Sequence, residues 1–231
     1  MESKTISAMI HENRYLDLKS SGARGWGGES FDRRNKEWEE ALAGLMANPV
    51  FPAPGAAVLE IGCGMGANAL YLASKGYRAS GVDISPTAIL SARDQASDRR
   101  LAVAFAVADV SSFIPVQSGT LDAVIDGNCL HCIIGEARTR TLVEIRRVLK
   151  PGGVLYVSSM IGDPKQELAE GKFDRESRCQ VVDGVPWRYM PHASELFAEL
   201  EAAGFAIAHS KIKLNAWWDH LHCLAVKTAQ T

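Results

Sequence analysis

The stretch Val58-Leu59-Glu60-Ile61-Gly62-Cys63-Gly64-Met65-Gly66 constrains the fold of this chain more than any other. An apolar run ends in three glycines at alternate positions, and a helix-forming segment follows at once. Such a turn belongs at the carboxyl end of a strand. The chain must turn sharply there, and a side chain would collide with a closely bound ligand. The helix beginning near Gly66 offers its free N–H groups to whatever sits in the turn. Dinucleotide folds use G-x-G-x-x-G, whereas the spacing here is E-x-G-x-G-x-G. Met65-Gly66-Ala67 also lacks the G-K-S/T ending of a P-loop.

From Ala56 the chain alternates strand and helix. Strands are expected at Ala57–Ile61, Ala79–Val82, Val103–Val107, Leu121–Ile125 and Val154–Ser158, with two final runs, Phe205–Leu214 and Leu221–Lys227. Helices are expected at Gly66–Lys75, Pro86–Ala96, Glu136–Leu149 and Ala193–Ala203. This alternation implies an α/β fold with a mostly parallel sheet covered by helices on both faces, and the continuously apolar strands agree. Residues 1–54 read as a helical N-terminal extension and lid. Within it Trp38, Leu42, Leu45 and Met46 recur at helical spacing, and Ser20–Gly28 reads as a mobile loop with Trp26 in its middle. Residues 55–231 form the main domain, with an irregular insert at about 160–191.

Further positions fall in order. Gly81-Val82-Asp83-Ile84 ends the second strand with an acid, Ala108-Asp109-Val110 follows the third, and Asp126-Gly127-Asn128 follows the fourth. A carboxylate at the position of Asp83 can accept from both hydroxyls of a ribose. Over about Ala56 to Ser158 the chain resembles the class I S-adenosylmethionine-dependent methyltransferases. That resemblance implies a Rossmann-like sheet of seven strands in the order 3-2-1-4-5-7-6, the last antiparallel, and S-adenosyl-L-methionine as cofactor. It makes residues 55–231 the catalytic domain. It also implies a cofactor site formed by Glu60, Gly62, Cys63, Gly64, Gly66, Asp83, Ile84, Asp109, Val110, Asp126, Gly127 and Asn128, with Glu60 ordering the loop. Arg24 and Trp26 are expected to reach the cofactor's methionine end, Arg24 by pairing with its carboxylate.

The activity expected is methyl transfer to O, N or S of a small molecule. Transfer from another carbon of the sulfonium, releasing methylthioadenosine, is an alternative, as is a non-catalytic cofactor-binding subunit. The Asn-Pro-Pro-Tyr type motif of amide and nucleobase amino methylators is missing after the fourth strand, where Asp126-Gly127-Asn128-Cys129-Leu130-His131-Cys132 stands instead. His131 is the candidate general base, since histidine serves most readily near neutral pH. Tyr15, His131, Trp187, Tyr189, Trp217 and Trp218 are the candidate substrate-side residues, the tandem tryptophans because the turn after the sixth strand should overhang the site. Cys129, His131, Cys132, His220, His222 and Cys223 do not follow a zinc spacing, so no metal is expected.

Charge supports the small-molecule reading. With 25 basic and 27 acidic residues the formal net charge is −2, and no block of like charge suggests nucleic acid or an anionic membrane. No run approaches the length of a membrane span, and the five cysteines are scattered, so a cytoplasmic monomer or homodimer is expected.

Overall fold

The computed structural model describes residues 3–23, 25–166, 172–182 and 184–229, with side chains from Ala8 onward. Arg24 therefore lies outside the described residues.

Two helices precede the sheet, α1 (Ser3–Ser20) and α2 (Phe31–Met46). Strand β1 (Ala57–Ile61) and helix α3 (Ala67–Ser74) flank the glycine loop. Next come β2 (Arg78–Asp83), α4 (Pro86–Asp98), β3 (Ala104–Val107), β4 (Leu121–Gly127), α5 (Glu136–Val148) and β5 (Leu149–Ile161). Helix α4 starts where its sequence dictates: Ser85 caps it by accepting from the Ala88 amide at 3.0 Å, and Pro86 fills the first helical position.

The seven-stranded sheet has the order β3-β2-β1-β4-β5-β10-β9. Counting β9 (Phe205–Lys213) and β10 (Asp219–Lys227) as the sixth and seventh strands, this is the expected 3-2-1-4-5-7-6. The first five strands run parallel, while β10 is antiparallel to both β5 and β9. Between β5 and helix α6 (Ala193–Ala202) the chain departs from expectation. The insert taken as irregular folds into its own antiparallel sheet of β6 (Phe173–Asp174), β7 (Cys179–Val182) and β8 (Val185–Tyr189).

Both faces of the main sheet are buried. Leu59, Ile61, Val124 and Leu155 pack with Leu142 and Ile145 of α5 and Leu196 and Leu200 of α6. Val58, Ile125, Tyr156 and Leu224 face the other way, onto Leu72 of α3 and Leu42 and Leu45 of α2. Burying a leucine as completely as Leu42 is worth about 1.5–3 kcal/mol, so α2 is part of the core.

Strands β1 and β4 lie side by side, and their crossovers leave in opposite directions along the sheet. The crevice outside their carboxyl ends is the topological switch point, where α/β sheets bind ligands.

Candidate active site

A cavity of about 670 Å³ opens at that edge, of a size suited to a small molecule or cofactor. One half is built by strand ends. Gly62, Cys63 and Gly64 come from the loop after β1, Asp83 and Ile84 from β2, Asp109 and Val110 from beyond β3, and Gly127 and Asn128 from β4. The loop needs its glycines. Gly62 and Gly64 have φ of 60° and 53°, and an added Cβ would stand 2.5 Å from Cys129 Cβ and 2.5 Å from Tyr15 Oη respectively. Gly66 serves packing: its Cβ would meet the Phe105 ring at 2.7 Å.

The acids fix this half. Glu60 accepts from Asn68 Nδ2 at 2.8 Å and from the Ala69 amide at 3.0 Å, tying the start of α3 back to β1. Burial pushes its pKa up to about 8 against those two hydrogen bonds. Asp83 accepts from the amides of Gly64 at 2.8 Å and Ser85 at 2.9 Å, and burial likewise raises its pKa. Each of its oxygens retains acceptor capacity toward a diol in the cavity. Asp109 accepts from the Ser111 amide and hydroxyl and from the Ser112 hydroxyl.

The other half is built from parts far apart in the chain. Helix α1 supplies His11 and Tyr15, α2 supplies Arg34 and Trp38, the β4–α5 loop supplies His131 and Cys132, and β8 and β10 supply Arg188 and His220. Helix α1 is docked by Glu12, which takes hydrogen bonds from the Ser85 and Thr87 hydroxyls, both at 2.5 Å, at the amino end of α4. Burial raises the Glu12 pKa, but these bonds outweigh it and the net shift is downward. His11 stacks on Trp187 with centroids 5.1 Å apart and on Trp26 at 5.9 Å, so the extension and the insert meet over the cavity.

His131 is buried, and its Nδ1 has no hydrogen-bond partner. Burial first, then the charges of Arg188, His220, Arg138 and His11, holds its pKa well below the usual 6.5. His220 is pushed down to about 4 mainly by burial, and its Nε2 lies 3.1 Å from Asn128 Oδ1. Both imidazoles are neutral at pH 7. Asn128 itself has φ of 73°, a left-handed conformation that asparagine tolerates better than most residues.

A family profile described as a methyltransferase domain matches residues 59–157, the strands and loops that build the first half of the cavity. A 2-heptyl-1-hydroxyquinolin-4(1H)-one methyltransferase of Mycobacteroides abscessus is 42% identical over 96 residues, 41% of this chain and 42% of that protein. An S-adenosyl-L-methionine-dependent Diels-Alderase, iccD, of Talaromyces variabilis is 31% identical over 193 residues, 80% of this chain and 64% of that one. The chain thus spans less than two thirds of either relative. Among solved structures, a 1,6-didemethyltoxoflavin-N1-methyltransferase of Burkholderia thailandensis superposes with a TM-score of 0.71 at 22% identity, covering 98% of this chain and 89% of that one, and shares the fold.

Residues 59–157 thus match a methyltransferase domain, and the chain shares the fold of class I S-adenosylmethionine-dependent methyltransferases.

Most of the expected site residues line one cavity, but not all. Tyr15, Trp26, Glu60, Gly62, Cys63, Gly64, Asp83, Ile84, Asp109, Val110, Gly127, Asn128, His131 and Trp187 do. Asp126 and Gly66 stand behind it. Asp126 accepts from the amides of Cys129 at 2.7 Å and Leu130 at 2.9 Å, so it shapes the turn that carries His131. Burial raises the Asp126 pKa to about 6.

Three aromatic residues sit away from the cavity. Tyr189 lies under Arg138, whose guanidinium is 5.3 Å from the ring centre. Trp218 is buried among Phe173, Met190 and Met160, where it seats the insert on the sheet. Trp217 is half exposed. In the glycine-rich turn before α2, Gly25 is buried and an added Cβ would collide with the Phe31 ring, whereas Gly22 is exposed.

Sequence reasoning passed over His11, Arg34, Arg188 and His220 as site residues, and all four line the cavity. His220 and His222 do share a face, their rings 6.3 Å apart, but His222 bonds the Tyr156 hydroxyl at 2.7 Å. Among the described residues no three His, Cys, Asp or Glu side chains form a group that could hold a metal ion. Among those residues, too, no helix is long and apolar enough to cross a membrane.

Proposed function

We propose that the protein transfers a methyl group to an O, N or S atom of a small molecule, with S-adenosylmethionine in the glycine-loop half of the cavity and the acceptor in the half around His131. The observation that carries this reading is the continuity of the cavity. It runs from Asp83 and Asp109 to a buried imidazole whose Nδ1 lacks a partner.

When bound, the cofactor supplies an electrophilic methyl carbon on a sulfonium, and S-adenosylhomocysteine remains after transfer. The chain's own residues fit it: Asp83 would receive a ribose diol, Asp109 would hold the base end, and the bare backbone at Gly62 and Gly64 would leave it room. His131 stays neutral because of its depressed pKa, so Nδ1 can take the proton that the acceptor X–H loses as X gains the methyl. Tyr15 and Trp26 cover the glycine loop from above and exclude water, which strengthens every charge interaction beneath them. As a lid, α1 and the turn through Trp26 should resist limited proteolysis better with cofactor than without it.

The test is product identity. Incubation with methyl-labelled S-adenosylmethionine and candidate acceptors should give S-adenosylhomocysteine and a labelled acceptor. Methylthioadenosine as the sulfur product would replace this reading with attack at another carbon.

The Diels-Alderase relative, aligned over 80% of this chain, favours one further reading, cyclisation of a substrate in the same cavity. In that case a cyclised product would form while S-adenosylmethionine is recovered unchanged.

A further inference from the structure

We infer that the acceptor is an oxyanion with an apolar or aromatic body, its carboxylate or equivalent group held by Arg34 and Arg188. The inference rests on the two-part cavity just proposed and names the class of molecule for its second part.

Charge in the cavity is divided. Its acids are Glu60, Asp83 and Asp109, all on the glycine-loop side and all engaged with backbone or side-chain donors. Among the described residues the acceptor side holds two arginines and no acid. Arg34 comes from α2 and Arg188 from β8, neither forms a salt bridge among the described residues, and Arg188 Nε is buried without a hydrogen-bond partner among them. Arg188 is half-buried and its Nε has no such partner, so the cost of that desolvation calls for a charge supplied by the ligand, and the exposed Arg34 adds a second cation lining the same cavity. Both guanidiniums line one cavity, and burial, then the charge of Arg188, lowers the Arg34 pKa. An anion between them would relieve that repulsion and accept paired, charge-assisted hydrogen bonds.

Strand β8, which carries Arg188, packs against the turn Leu130–Cys132 that holds His131, and Arg34 reaches the same cavity from α2. The anion therefore sits beside the candidate base and not at the glycine loop. Ile133, Ile134, Met160 and Trp38 supply the apolar wall around it. A molecule satisfying both features presents an acid at one end and a flat or aliphatic body at the other. Its X–H group falls toward His131 Nδ1.

The test compares acids with their own amides, which keep shape and lose charge. Salicylate and salicylamide, indoleacetate and indoleacetamide, and nicotinate and nicotinamide are titrated by calorimetry into protein saturated with S-adenosylhomocysteine. At least one acid should bind about tenfold more tightly than its amide. Arg34→Gln and Arg188→Gln should each reduce that preference, the double variant should abolish it, and S-adenosylhomocysteine affinity should stay within about twofold of wild type. Equal behaviour of acids and amides, including binding by neither, overturns the inference. So does a preference that survives in the double variant. If the arginine variants instead lose S-adenosylhomocysteine, the guanidiniums serve the cofactor's own carboxylate and the inference is wrong. Failure of wild-type protein to bind S-adenosylhomocysteine at all would strike at the proposed function, a separate and distinguishable result.

Discussion

The two halves of the cavity, proposed above as the cofactor half and the acceptor half, are assembled by different means. The cofactor half is local: four consecutive strand ends, each followed by its own short turn, bring Gly62, Asp83, Asp109 and Gly127 to one edge, and parallel pairing sets their spacing. The acceptor half is long-range, since Arg34, His131, Arg188 and His220 come from four elements that meet only when α2 and the insert dock on the sheet. Damage to the first half should therefore appear as lost cofactor affinity, and damage to the second as lost turnover.

The largest effect expected is at Gly64. A side chain there must adopt a left-handed backbone at φ of 53°, and its Cβ falls 2.5 Å from the buried Tyr15 hydroxyl. Gly64→Val should abolish S-adenosylmethionine binding by calorimetry while circular dichroism still reports the folded sheet. A folded variant that binds normally would break the assignment of the glycine loop.

His131→Ala should do the opposite, leaving cofactor affinity in place and cutting kcat by about a hundredfold, within the range general bases supply. The pH dependence gives the sharper result. Because His131 is held well below 6.5, it is already unprotonated at pH 7 and its own titration should not depress wild-type activity near pH 6.5. The variant's deficit should grow toward low pH and shrink toward high pH, where an ionised acceptor needs no base. Full activity of the variant across that range would return His131 to a packing role.

Asp83→Ala should weaken S-adenosylmethionine about tenfold, near 1.4 kcal/mol, the scale of a lost charge-assisted pair. It should also loosen the loop, because the Gly64 amide loses its acceptor. Unchanged affinity in a folded variant would mean that Asp83 only braces the backbone.

The same division explains what could be read before any coordinates. The glycine loop and the acids ending β2 and β3 were legible because strand periodicity and turn chemistry act over a few residues, whereas the order of the seven strands came only from the family resemblance that those residues carry. Arg34 and Arg188 were not, since a cation in a surface-like helix or a mixed-charge insert carries no local mark of facing a cavity. Trp217 and Trp218 were read as substrate-side on topology alone. The strand does end at the correct edge, yet Trp218 finds a better partner in Phe173 and Met190, contributed by a sheet that had not been recognised. One signal for that sheet was available. Val182-Asp183-Gly184-Val185 places Asp-Gly between two β-prone runs, a strong short-range mark of a hairpin, and β7 and β8 pair antiparallel across it. Glu12 gave no such warning, because only docking against α4 gives it partners.

The smallest effect expected on function concerns Glu60, which lines the cofactor half but spends its oxygens on Asn68 and Ala69. If its role is to order the start of α3, Glu60→Gln should keep S-adenosylmethionine affinity within about threefold of wild type. One amide oxygen can still accept from Ala69, and Asn68 can turn its own carbonyl toward the new NH₂ group. Stability should respond more visibly. The folded pKa of about 8 lies above the unfolded carboxyl value, so the native state holds the proton more tightly. The stabilisation from that proton is complete below the unfolded pKa and is lost as pH rises from about 4.5 to about 8. Ligand-free wild-type protein should accordingly lose more thermal stability between pH 5.5 and pH 8 than Glu60→Gln, which has no charge to bury. Each kcal/mol removed should show as about 2–4 °C in Tm for a chain of this size. Parallel pH profiles in the two proteins would show that Glu60 is solvated or paired in solution. A large loss of cofactor affinity in the variant would move Glu60 from bracing the loop to touching the ligand.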